Sequence, residues 1–155
     1  MLKRTFFAVA ASVLGLGLTS TLIVHLPVQA QSCRPLRVVD GRGFEVRKRI
    51  DGRPGGVIVS NNWNTDFAVP PGVRFRSYAV SITPENDAPY DISIHFKYPN
   101  NSSSTVFQNN SLKLARWRSW NRTFQSPTSR QPYQINLRIG GTNGNFYRAR
   151  VSACQ

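Results

Sequence analysis

The chain has 155 residues, of which 20 are Lys or Arg and 7 are Asp or Glu, giving a net charge of +13, and it has only two cysteines and two histidines. A chain of this size builds one core, and so few histidines and cysteines exclude a His-based metal cluster or a serine triad. The excess of arginine argues for anionic partners or surfaces.

Lys3 and Arg4 precede an apolar stretch from Phe6 to Leu26, and Pro27-Val28-Gln29-Ala30 follows. This is the order of a secretory signal with its small-x-small cleavage site, so cleavage after Ala30 is expected to release residues 31–155. Left uncleaved, the same stretch would be a membrane anchor; once cleaved, no membrane span remains. The exported part keeps 18 basic and 7 acidic residues, a balance of +11. Export implies an oxidising compartment, and Cys33 and Cys154 sit at the extreme ends of this part. They are expected to pair as a clasp.

Leu36–Val39 and Phe44–Ile50 read as strands, the second with Phe44, Val46 and Ile50 inward. Asp51–Gly56 reads as a turn, and Val57–Val59 as a short strand. Trp63, Thr65, Phe67 and Val69 alternate with polar neighbours, the period of a half-buried strand, which Pro70-Pro71-Gly72 ends. From Val73 to Thr83 the apolar parity changes, which a bulge near Ser77 would explain.

Tyr90, Ile92, Ile94, Phe96 and Tyr98 alternate with Asp91, Ser93, His95 and Lys97 and form the clearest strand. Thr105–Gln108, Leu112–Trp120 and Thr123–Gln125 follow as shorter ones, and Ser126–Ser129 interrupts. Tyr133, Ile135, Leu137 and Ile139 alternate again. Gly140–Gly144 turns the chain, and Phe146–Ala153 closes it. About eight short strands with regular turn signals and no helical period predict an all-β fold, a single antiparallel β-sandwich of jelly-roll or immunoglobulin-like type.

Asp66-Phe67-Ala68-Val69-Pro70-Pro71-Gly72 followed by Asp87-Ala88-Pro89-Tyr90-Asp91-Ile92 resembles the bacterial pre-peptidase C-terminal domain. That resemblance implies a secreted β-sandwich accessory module, calcium-dependent in some members and associated with extracellular polymers. Asp87 and Asp91 are the calcium ligands it implies. Pro89 and Tyr90 stand where that family has a tight Asp-x-Asp run. Otherwise no cofactor is expected.

The most distinctive stretch is Lys113-Leu114-Ala115-Arg116-Trp117-Arg118-Ser119-Trp120-Asn121-Arg122. On one strand, Arg116, Arg118, Trp120 and Arg122 would share a face, with Trp117 on the other. Three guanidiniums beside an indole suit an anionic polymer, by charge and stacking together. Arg74 with Arg76, and Arg148 with Arg150, repeat the alternation, and would extend the patch if their strands were neighbours.

The leading expectation is therefore a non-catalytic exported domain that binds an anionic polysaccharide or envelope surface through Arg116, Arg118, Trp120 and Arg122. An envelope assembly protein that docks a protein partner is the alternative, since arginine and aromatics also dominate protein interfaces. A carboxylate hydrolase using Glu85, Asp87 or Asp91 is a third reading. Export argues against nucleic acid as the partner.

Overall fold

The computed structural model describes residues 32–51 and 64–155. The signal segment 1–30, the turn residues 52–56, the strand expected at 57–59 and Trp63 lie outside these.

Among the described residues there are ten antiparallel strands: β1 (Cys33–Pro35), β2 (Arg37–Val38), β3 (Glu45–Arg49), β4 (Asn64–Ala68), β5 (Ser77–Pro84), β6 (Ala88–Lys97), β7 (Ser103–Leu114), β8 (Trp120–Phe124), β9 (Gln134–Gly141) and β10 (Phe146–Cys154). The front sheet has the order β3-β10-β5-β8, and β1 shares the β3 edge of β10. The back sheet has the order β2-β4-β9-β6-β7. From β3 to β10 every connection crosses between sheets except the β6–β7 hairpin. That is the double Greek key of a jelly roll, so of the two expected sandwich types this is the one observed.

The two-residue periods place the core. Tyr78, Val80 and Ile82 of β5 and Tyr147, Ala149, Val151 and Ala153 of β10 point inward from the front sheet. They meet Tyr90, Ile92, Ile94 and Phe96 of β6 and Ile135, Leu137 and Ile139 of β9. Tyr78 packs edge-on against Phe96 across the sandwich, with ring centroids 5.0 Å apart. Side chains facing the other way along the same strands are partly or fully exposed at Ser81, Asp91, Arg138, Arg148 and Arg150, while Ser93 and Asn136 in the middle of the back sheet are buried.

Several boundaries differ from the sequence reading for tertiary reasons. The first strand is split: Leu36, fully buried and donating its N–H to the Val151 carbonyl at 2.8 Å, carries the chain from the front sheet to the back one. Phe44 precedes β3 and stays exposed, with the Arg37 guanidinium 5.3 Å from its ring, while Val46, Lys48 and Ile50 take the inward parity. No bulge occurs at Ser77. The parity changes there because β5 begins there, residues 69–76 being a loop whose Phe75 N–H bonds to the Gln131 side chain at 2.9 Å. The register shifts lie instead in the β6–β7 hairpin, between Tyr90 and Ile92 and between Ile94 and His95.

Cys33 and Cys154 form a disulfide between directly opposed positions of β1 and β10. The bridge therefore joins neighbours within one sheet, and the backbone N–H of Gln155 reaches the Ser32 carbonyl at 3.1 Å.

Candidate functional site

The Arg- and Trp-rich stretch is a corner between the two sheets. The single strand expected over Leu112–Trp120 does not form: β7 ends in the back sheet at Leu114, and β8 begins in the front sheet at Trp120. Three hydrogen bonds turn the chain. The Arg116 N–H donates to Asp87 Oδ1 at 2.8 Å, the Trp117 N–H to the Pro84 carbonyl at 2.8 Å, and the Arg118 N–H to the Ala115 carbonyl at 3.0 Å. The Thr83 and Ser119 hydroxyls, 2.7 Å apart, tie the corner to the end of β5.

This corner separates residues that the sequence placed on one face. Arg116 and Arg118 lie in the turn, exposed, whereas Trp120 and Arg122 lie on β8 opposite Ile82 and Val80. Trp120 is half-buried, its ring 5.0 Å from Phe107, which in turn lies 5.9 Å from Phe124. It closes the open edge of the core and carries the Arg122 guanidinium 5.6 Å from its ring.

The indole left facing solvent is Trp117, which is 52% exposed, with the Arg116 guanidinium 5.5 Å from its ring centroid. Its backbone is left-handed, φ 60°. For a bulky side chain that conformation is uncommon and costs on the order of 1–3 kcal/mol. The alternation in the sequence points to Trp120 as the stacking ring, whereas Trp117 is the more exposed of the two. Only the long-range contact with Phe107 and the bond to Pro84 distinguish the two indoles, and neither leaves a local signal.

Elsewhere, four basic side chains, Arg47, Arg49, Lys97 and Arg148, pair with acids. On the outer face of the front sheet, Glu85 accepts two bonds from Arg47, at 2.8 and 2.7 Å, and one from Arg148 Nε at 3.2 Å. Arg148 also lies 3.6 Å from Glu45. These bonds, the Arg47 pair first, hold the Glu85 carboxyl below its ordinary range, so it is an ionised anchor and a poor proton donor. Arg49 pairs with Asp51 at 3.5 Å, and Lys97 with Asp66 at 3.0 Å. Arg116, Arg118 and Arg122, like Arg74, Arg76 and Arg130, make no ion pair among the described residues.

The expected carboxylate constellation is dispersed. Glu85 belongs to the outer front face, Asp87 turns to the corner, and Asp91 lies on the outer back face beside Ser93, Gln108, Asn110 and Arg138. Glu85 and Asp91 thus sit on opposite sides of the sandwich and cannot act on one bond. For calcium, Asp87 already has one oxygen engaged by an N–H, and among the described residues no three His, Cys, Asp or Glu side chains converge. His95, on the outer back face, bonds through Nδ1 to Thr105 Oγ1 at 3.0 Å; burial, then Arg138 and Lys97, lower its pKa.

No family model and no curated protein matches the chain. Among solved structures, two mutants of CBM29-2, a family 29 carbohydrate-binding module, align with it at 8% identity. One covers 80% of this chain and 74% of its own with a TM-score of 0.47; the other covers 81% and 79% with a TM-score of 0.45. Likeness this distant carries no argument about ligand or site.

Proposed function

We propose that the chain is an exported, non-catalytic binding domain for an acidic extracellular polymer, and that the β7–β8 corner makes the contact. The observation that carries this reading is Trp117: an exposed indole kept in a left-handed backbone position, flanked by Arg116 and Arg118, neither of which has a carboxylate partner among the described residues. A glycine would adopt that conformation without steric cost. A tryptophan there gives up stability for a surface ring. Its face can stack on a sugar ring while the guanidiniums meet carboxylate or sulfate groups in bidentate fashion. Arg122, two positions beyond Trp120 on β8, is a further cation with no ion pair among the described residues.

The test is retention on immobilised anionic and neutral polysaccharides at low and moderate salt. Anionic binding should fall as salt screens the charges. Trp117→Gly should raise stability by up to about 2 kcal/mol, the strain relieved less the extra entropy of an unfolded glycine, while weakening binding roughly tenfold. Replacing Arg116, Arg118 and Arg122 together with serine should remove the salt-dependent component. Equal retention on neutral and anionic matrices, or unchanged retention in both variants, would overturn the reading.

A further inference from the structure

A second set of arginines lies at the opposite end of the sandwich. β5 runs from Ser77 to Pro84, so the loop preceding it lies a strand's length, on the order of 25 Å, from the corner that bonds to Pro84. At that far end three loops, 69–76, 98–102 and 125–133, enclose a cleft of about 990 Å³, lined among others by Arg74, Phe75, Arg76, Gln125, Ser129 and Arg130. This is at the upper end of small-molecule pocket sizes, about 300–1,000 Å³.

The cleft walls are held by specific bonds. The Gln131 side chain spans two loops, accepting from the Phe75 N–H and donating to the Val73 carbonyl, both at 2.9 Å. Ser126 Oγ meets the Tyr98 hydroxyl at 3.0 Å and donates to the Arg130 carbonyl at 2.9 Å. The Arg76 N–H donates to the Cys154 carbonyl at 2.8 Å, so the disulfide-bonded end of β10 braces the floor. Such bracing presents the loops largely preformed, which lowers the ordering cost of binding.

Its charge is one-sided. Among the described residues no Asp or Glu lines the cleft, and Arg74, Arg76 and Arg130 make no ion pair. Three like charges around a concavity repel one another and focus a positive field into it, a state relieved by an anion. The remaining lining mixes hydroxyls and amides, suited to sugar hydroxyls, with an apolar wall of Val73, half-buried Phe75 and Pro99.

We infer that this cleft is a binding site for an anionic saccharide, its carboxylate or sulfate held by Arg74, Arg76 and Arg130 and its hydroxyls by Gln125 and Ser129. The inference deepens the acidic-polymer reading, yet it stands on residues that the corner does not share.

The experiment is calorimetric titration of the oxidised protein with a uronate tetrasaccharide, a sulfated one, a neutral one, inorganic sulfate and a single-stranded oligonucleotide. Wild type is compared with Arg74→Ser/Arg130→Ser and with Arg116→Ser/Arg118→Ser. The cleft variant should lose at least about tenfold in affinity for the uronate, the sulfated ligand or both, and whichever binds identifies the anionic group. Amide-shift changes in wild type should fall on Phe75, Gln125 and Ser129, a readout that needs no variant to fold. Unchanged affinity in the cleft variant overturns the inference. If the corner variant alone loses binding, the corner reading stands and the cleft fails; if the cleft variant alone loses it, the reverse holds. Sulfate binding as tightly as the saccharides, or the oligonucleotide binding more tightly, also overturns it.

Discussion

Replacing both cysteines, Cys33→Ser and Cys154→Ala, should unfold the domain at a much lower temperature, and the size of the effect follows from topology. The bridge closes a loop across a sequence separation of 121 residues. In the chain-entropy model such a cross-link removes roughly 16 cal/mol/K from the unfolded chain, about 5 kcal/mol at 25 °C. For a domain of this size each kcal/mol moves the melting temperature by about 3–5 °C, so a fall of roughly 15–25 °C is expected. Because the effect operates through the unfolded state, the denaturant m-value should rise as that state expands. Reductant should lower the melting temperature of wild type equally and leave the double variant unchanged. A double variant melting within about 5 °C of wild type at an unchanged m-value would refute the reasoning. It would mean that the short β1 ladder and buried Leu36 hold the end of the sheet by themselves.

Acid should destabilise the domain in two stages. His95 has its pKa lowered from 6.5, chiefly by burial, and Glu85 has its own lowered from 4.5, chiefly by Arg47. Both bind protons more readily unfolded than folded, so the contribution of each is complete above its unfolded value and lost as pH falls through its folded one. Denaturant titrations below pH 6.5 and then below pH 4.5 should show the two losses, and Glu85→Gln should flatten only the second; an unaltered acid limb in that variant would remove Glu85 from the account. Gly141→Ala should cost about 1–3 kcal/mol in urea unfolding, since Gly141 has φ 135° and an added Cβ would meet the Pro89 carbonyl oxygen at 2.8 Å; a neutral result would show that β6 yields at that point.

How far the sequence could be read depended on whether a signal was local. The alternations in β6 and β9 reported their inward faces correctly because those strands are buried on one side along most of their length. The cysteines at the two ends named their own partner. The corner was illegible for the opposite reason. Arginine and apolar residues alternate from Lys113 to Arg122 as they would on an edge strand, and the turn is made by bonds to Pro84 and Asp87, about thirty residues upstream. The difference in exposure between Trp117 and Trp120 has the same origin, since Phe107 covers Trp120. Arg130 gave no signal at all, being one polar residue in a loop, and it meets Arg74 and Arg76 only when three loops converge.

The adjacency of Ser32 and Gln155 has a mechanical consequence. Tension applied through these two residues runs from Cys33 directly into Cys154 and bypasses strands β2 to β9. While oxidised, the domain adds to a stretched chain only the width of one bridge. Once reduced, it can release on the order of 400 Å of contour, at about 3.4 Å per residue. The protein is thus an inextensible bead under load, and only a reductant turns it into a spring.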